Sequence, residues 1–376
     1  MLVTQLCERW QLLVQSKGRK RALTIICIGI AVAAVGIGGF FAFAAYQINQ
    51  IPKMKFEDML TYTTKNNKKA LVAVGIIHNG EASYSLYGEN GTALPQANHI
   101  YEIGSITKTF TASLLFKAVS EGKISLSDSI DKYLDLPIKD YYPTIRRIVT
   151  HTSGYKGYYF ETQMVSNFFY GRNDFYGISK TQLLERNGKI DLEDRGYNFC
   201  YSNFGFAAVG AVLSEIYELD YPTMINNYIT EEFGLRNTKI SDGSGDLENY
   251  WDWAKNDAYM PAGALASTIE DMLKYAQLQI NEKPEYLSDT HKALAEANAA
   301  SASNAKMNIR MDSMGAAWII DAENNIIWHN GGTDGYNCYL GFALNKQAAV
   351  VVLSNLSPGY RIPATVMGVK LLTDLQ

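Results

Sequence analysis

Gly104-Ser105-Ile106-Thr107-Lys108 opens a helical pattern that runs to about Gly122, with Phe110, Leu114, Leu115 and Ala118 on one apolar stripe. A spacing of three puts Ser105 and Lys108 on one helical face, within reach of each other. A serine at a helix start meets amide dipoles that favour a developing oxyanion. Its hydroxyl is a poor nucleophile without a base, and a buried lysine is readily driven to its neutral, proton-accepting form. The same residues also read as an N-cap serine followed by a solvated lysine, so this stretch alone decides nothing.

Two further words follow in fixed order. Tyr201-Ser202-Asn203 lies on a turn just before a helical pattern. A phenolate there can accept the Ser105 proton, and the Asn203 amide can hold a substrate amide through both its donor and acceptor sides. An aromatic core residue and an asparagine cap form the bland alternative. His329-Asn330-Gly331-Gly332 ends a strand that starts Asn325-Ile-Ile-Trp328. Glycines there let a substrate backbone lie along the strand edge, and an amide near Gly332 can complete an oxyanion hole with that of Ser105. A hairpin turn explains a Gly-Gly pair equally well. Three separate accidents in this order are harder to accept than one acyl-transfer site.

Around these words the chain reads as strands at both ends and helices between. Phe56–Thr64 is an amphipathic helical turn. Strands at Leu71–His78 and Ala82–Tyr87 meet at Asn79-Gly80, a strong hairpin signal. Helical patterns follow at Pro143–Val149, Thr181–Arg186, Phe204–Tyr217 and Ser267–Ile280. Strands return at Gly315–Ile320, Asn325–His329, Asn337–Ala343 and Ala348–Leu353, and Pro363–Leu375 closes as a helix. The pattern predicts an α+β fold: one sheet built from both termini, flanked by helices, with an all-helical lobe inserted between. Glu296–Ala305, rich in Ala, Ser and Asn, reads as a loop or a frayed helix.

Beyond residue 21 the chain carries 29 basic and 37 acidic residues, against 34 and 38 in the whole. An acidic body argues against a nucleic-acid partner, which needs a concentrated basic face. Only Cys200 and Cys338 fall in the globular part; they allow one disulfide, and Cys200 reads as a small buried filler. None of the five histidines sits in HxH or HExxH spacing, so neither a metal nor a cofactor is expected.

Residues 1–21 form a basic segment, and 22–46 are uncharged. A helix of that length, at about 1.5 Å per residue, exceeds the roughly 30 Å hydrocarbon core. The Lys17–Arg21 cluster then places the amino terminus in the cytoplasm and the rest outside, extracellular or periplasmic. A cleaved signal peptide is the competing reading, through Ala42-Phe43-Ala44, and would make the domain secreted; its apolar region is usually shorter, about 7–15 residues. Residues 47–55 read as a linker and 56–376 as the catalytic domain.

Residues 56–376 resemble the family of class C β-lactamases, penicillin-binding DD-carboxypeptidases and their esterase and D-aminopeptidase relatives. Beside the three words, Val149-Thr-His-Thr-Ser-Gly154 is similar to the family's LLTHTSG segment. Pro261-Ala-Gly-Ala-Leu-Ala-Ser-Thr-Ile-Glu-Asp271 is similar to its PAGGLxSTAxDL helix start, and Gly331–Tyr336 to the continuation of its third motif. The resemblance implies a β-lactamase/transpeptidase-like fold. It makes Ser105 the acylated nucleophile, Lys108 its proton partner and Tyr201 the base that also protonates the leaving group. Asn203, His329, Gly331 and Gly332 become substrate-binding residues. His329 stands where the β-lactamases place the lysine of Lys-Thr-Gly, a departure similar to the family's peptidases; His151 reads as structural.

The expected function is therefore a serine hydrolase acting on D-amino-acid peptides of the cell wall, with penicillins as mimics. A β-lactamase or small-ester hydrolase is the alternative, and a non-hydrolytic penicillin-binding receptor a third. If His329 titrates near its usual value of about 6.5, carboxylate-bearing substrates should bind better as pH falls toward 6. Oligomeric state is not legible in the sequence. The aromatic stretch Tyr155–Gly177 reads as a cleft wall, a membrane-facing surface or lobe core.

Overall fold

The computed structural model describes residues 49–375. The basic segment 1–21 and the expected span 22–46 lie outside the described residues. Among the described residues no helix is long and apolar enough to cross a membrane. The compact unit that carries the fold begins at Lys55.

Its first helix, α1 (Phe56–Thr64), buries Phe56, Met59, Leu60 and Thr63 at the spacing of one helical face and carries Glu57 and Asp58 in its first turn. Strands β1 (Val72–His78) and β2 (Glu81–Tyr87) pair around Asn79-Gly80. Both turn residues take positive φ, 54° and 81°, which suits a tight two-residue hairpin. After the short β3 (Ala93–Leu94) and β4 (Tyr101–Glu102), a 3-10 turn at Gly104–Ile106 runs into α2 (Thr107–Ser120). The helical lobe follows, with α3 (Asn203–Tyr217) and α4 (Tyr221–Phe233) packed on α2. It closes through β5 (Lys239–Ile240), β6 (Leu265–Ser267) and α5 (Ile269–Asn281).

The chain then completes the sheet with β7 (Ala295–Glu296), β8 (Ser313–Met314), β9 (Ile319–Asp321), β10 (Ile326–Gly332), β11 (Asn337–Ala343) and β12 (Ala348–Ser354). The nine strands run β3-β2-β1-β12-β11-β10-β9-β8-β7, antiparallel in every pair; β4, β6 and β5 form a separate small sheet. β12 is buried along its whole length, as a strand covered on both faces must be. Side chains alternate between the layers: Gly75 faces Leu273 of α5, whereas Tyr339 meets Gly368 of α6 (Ala364–Asp374). The sheet from both termini and the inserted lobe are thus as the pattern predicted.

One expected strand is not continuous. Gly315–Trp318 forms the turn between β8 and β9, with Ala317 at φ 65° and the Ala316 and Ala317 amides donating to the carbonyls of Thr290 and Val149. Contact with the lobe, which no local pattern encodes, breaks the strand there. The 296–305 stretch starts at the last residue of β7 and takes in most of a short helix, Ala302–Lys306.

Candidate active site

Ser105 sits in the 3-10 turn that leads into α2, and Lys108 lies one turn on with its side chain fully buried. The Lys108 Nζ stands 3.1 Å from Ser105 Oγ, 2.7 Å from Asn203 Oδ1 and 2.6 Å from the Ala262 carbonyl oxygen. Among the described residues no carboxylate pairs with it, and burial drives its pKa well below the ordinary ammonium range. A neutral amine has two N–H donors and one lone pair. The two carbonyl oxygens take the donors, which leaves the lone pair for the Ser105 O–H.

Tyr201 and Asn203 are set by the start of α3. Ser202 caps that helix, accepting the Gly205 amide at 2.9 Å and donating to the Lys156 carbonyl at 2.6 Å. His151 holds the same turn: its carbonyl accepts from the Cys200 amide at 2.8 Å, its Nδ1 accepts from the Ser202 amide at 3.1 Å, and its ring lies 4.6 Å from that of Tyr201. Surroundings that exclude water push the Tyr201 phenol above its usual range, with Ser105 partly offsetting the shift. The phenolate that the sequence allowed is therefore disfavoured, and the phenol keeps its proton.

The Gly331-Gly332 pair is a steric requirement. A Cβ on Gly331 would stand 1.9 Å from the Ile103 carbonyl oxygen, and one on Gly104 would stand 2.5 Å from the Gly332 nitrogen. The Thr333 amide donates to the Tyr336 carbonyl across the β10–β11 turn. Alternation then makes Gly332–Asn337 a non-hydrogen-bonded pair and turns the Gly332 N–H away from β11, toward Gly104.

His329 departs from expectation in environment. It is 1% exposed, its Nδ1 donates to the Asn330 carbonyl at 2.6 Å, and burial pushes it down to about 3. It therefore stays neutral where a substrate carboxylate is ionised, and the expected gain in binding near pH 6 is corrected. Nor does it line the recess beside Ser105, whose walls are Phe175, Asn203, Trp251, Trp253, Tyr259, Ala262, Gly263 and Gly332. Of the expected substrate-binding residues, Asn203 and Gly332 face that recess; His329 and Gly331 are buried behind it.

Four contributors were not read from the sequence. Glu102, 2% exposed, accepts the Trp251 amide at 2.8 Å and the Thr333 hydroxyl at 2.7 Å, joining the strand before Ser105 to two walls of the recess. Its burial raises it to about 7. The Ala262 carbonyl is invisible in any side-chain pattern, although the Pro261-Ala-Gly segment was noted. Trp251 and Trp253 carried no local signal beyond their aromaticity. Cys200 is exposed, not a buried filler, and both it and Cys338 are free thiols. In the aromatic stretch, Tyr155 and Phe175 are buried, while Phe168, Phe169 and Tyr170 stand more than three-quarters exposed.

An antiparallel sheet from both termini, an inserted helical lobe and a Ser-x-x-Lys turn at their seam define the β-lactamase/transpeptidase-like fold. The chain belongs to the β-lactamase family of serine hydrolases, whose family model matches residues 57–365. It is 30% identical over 258 residues to Beta-lactamase-like protein 2 of Dictyostelium discoideum, covering 60% of this chain and 45% of that one. It is 21% identical over 286 residues to Protein flp of Staphylococcus aureus strain MRSA252, covering 69% and 53%. The chain thus spans about half the length of the curated relatives it matches. Among solved structures, an octameric penicillin-binding protein homologue from Pyrococcus abyssi superposes with a TM-score of 0.67 at 20% identity, over 90% of this chain and 77% of that one. A β-lactamase/D-alanine carboxypeptidase from Yersinia pestis gives 0.66 at 19%, over 88% and 99%. At such identities the likeness is one of fold.

Proposed function

We propose that the domain hydrolyses acyl compounds through an acyl-enzyme at Ser105, with D-amino-acid peptides of the cell wall as its substrate class. The observation that carries this reading is the buried Lys108, 3.1 Å from Ser105 Oγ and without a carboxylate partner among the described residues. Its lone pair takes the Ser105 proton as Oγ attacks the carbonyl carbon. The amides of Ser105 and Gly332 hold the oxyanion. The Tyr201 phenol gives its proton to the departing nitrogen or oxygen and is reprotonated from Lys108. Water then releases the acyl group by the reverse proton path. Asn203 binds the substrate amide beside the same serine.

The D-peptide assignment is supported by Asn203 in the recess and by the D-alanine carboxypeptidase named among the structural neighbours. His329 favours it over efficient β-lactam hydrolysis, because a neutral imidazole supplies no cation for a lactam carboxylate. A small-ester hydrolase is the second reading, favoured by the aromatic walls of the recess. We place the domain outside the cell, held by residues 22–46, on the charge pattern of the sequence alone.

The deciding experiment incubates the purified chain with D-Ala-D-Ala peptides, cephalosporins and short esters, compares kcat/KM, and looks for the acyl adduct by intact mass. Faster turnover of peptides than of cephalosporins, with an adduct mapped to Ser105, is expected. Cephalosporins as the best substrates would replace the peptidase by a β-lactamase, and an adduct that never turns over would make the domain a receptor.

A further inference from the structure

The recess beside Ser105 is narrow and aromatic. It measures about 40 Å³, room for roughly three water-sized groups at ~10–15 Å³ each. Phe175 stacks on Tyr259 with ring centroids 4.3 Å apart, and Trp251 meets Trp253 edge to face at 6.0 Å. A roomier cleft of about 620 Å³ lies among Ser179–Leu183, Asp220, Tyr221 and Lys255–Ala258, but none of the catalytic residues lines it.

These walls are tied down. Glu102 accepts the Trp251 amide, and Asn173 donates its side-chain amide to the Asp252 carbonyl. Asp257 takes the Gly177 amide at 2.9 Å on one oxygen and the Ala254 amide at 2.7 Å on the other, which joins the segment carrying Phe175 to the one carrying both tryptophans. The backbone on both sides is thus fixed by buried polar side chains, and a bulky group cannot be accommodated by a loop simply swinging out. The indole N–H groups of Trp251 and Trp253 find no acceptor within the described residues.

We propose that this recess gauges the side chain borne next to the carbonyl of the acyl group transferred to Ser105, admitting one of about three heavy atoms or fewer and rejecting longer alkyl or aryl side chains. The proposal rests on the acyl-enzyme reading above. The Ser105 Oγ–carbonyl carbon bond forms and the carbonyl bond to the ester oxygen or amide nitrogen breaks. The serine proton passes through Lys108 and Tyr201 to that leaving atom. Ester and amide donors can carry the same small side chain next to the carbonyl.

The test measures acylation and turnover of the full-length chain with p-nitrophenyl acetate, butyrate and hexanoate, and with D-alanyl and D-phenylalanyl p-nitroanilides. The ester and anilide arms separate the two sources. A drop of at least ~10-fold in kcat/KM from butyrate to hexanoate is expected, with D-alanyl preferred over D-phenylalanyl by a similar factor if amides are donors. Trp253→Ala should raise the hexanoate-to-acetate ratio ~10-fold, and Phe175→Leu gives a milder opening should the alanine variant fold poorly. Acylation of Ser105 that is equally fast at every length in the parent chain overturns the gauge while leaving the hydrolase intact. Absence of any acylation at Ser105, read by intact mass, overturns both.

Discussion

Lys108 is a cation-forming side chain placed where a cation is disfavoured, and the chemistry follows from that conflict. Only its neutral form has a lone pair for the Ser105 proton, so activity is present above its lowered folded pKa and lost as pH falls through it. Lys108→Arg keeps the length but cannot deprotonate, and kcat/KM should fall by about 10³-fold or more. Ser105→Ala should abolish the covalent adduct formed with a labelled penicillin or ester; label persisting in that variant would move the nucleophile elsewhere. His329 carries a stability prediction instead. Its folded pKa of about 3 lies below its unfolded value, so the unfolded chain binds the extra proton and stability falls as pH drops from about 6.5 toward 3. His329→Asn should remove about 2 kcal/mol of the stability lost between pH 7 and pH 5, measured by urea unfolding at both pH values. A lysine at 329 would bury another amine beside Lys108 with no carboxylate partner among the described residues, so His329→Lys is expected to destabilise the fold and not to speed penicillin acylation.

At the scale of elements, Glu102 joins β4 to the Trp251 segment and to the β10–β11 turn, and so holds three sides of the recess in register. Its pKa has the opposite sign to that of His329. Raised to about 7 in the fold from an ordinary value near 4.5, it makes the folded chain bind the extra proton. Stability is therefore fully present below pH 4.5 and is lost as pH rises through 7. Glu102→Gln mimics the protonated acid: its carbonyl accepts the Trp251 amide and its NH2 donates to the Thr333 hydroxyl. It should be more stable than the parent at pH 8, by up to about 3 kcal/mol, and keep kcat/KM within severalfold. Glu102→Ala leaves the Trp251 amide and Thr333 hydroxyl without their acceptor and should cost ~10–100-fold in kcat/KM. Equal behaviour of the two variants would show that Glu102 merely fills space. The same reasoning explains the turn at Gly315–Trp318, where hydrogen bonds to Thr290 and Val149 outweigh a strand-like local pattern.

For the whole molecule, the open question is what precedes the domain. A chain held by residues 22–46 should stay in the membrane fraction after a carbonate wash, and an external protease should reach the domain but not Lys17–Arg21. A mature protein starting at Ala45 would establish the cleaved signal instead. This measurement stands apart from the catalytic ones, since no step at Ser105 depends on residues 22–46.

Much of the architecture was legible without coordinates, because it depends on local periodicity. The Asn79-Gly80 hairpin, the Phe56–Thr64 helix and the Asn337–Ala343 strand emerge at the expected residues since turn geometry and burial period are written in adjacent side chains. The three motif words were legible too, as serine, lysine, tyrosine and glycine pair each have a distinct residue type, and the structure brings Ser105, Lys108 and Asn203 together. What only the tertiary structure decided is each group's state and surroundings. Whether Lys108 is neutral depends on its complete burial between the Ser105 turn, α3 and the Ala262 backbone, with no carboxylate beside it among the described residues. Whether His329 titrates depends on how deeply β10 is buried. The aromatic recess gathers Phe175, Trp251, Trp253 and Tyr259 from segments up to about eighty residues apart, tied by Glu102 and Asp257. Solvation and contact at such separations are properties of the packed chain, set when distant segments exclude water together, and no local pattern can encode them.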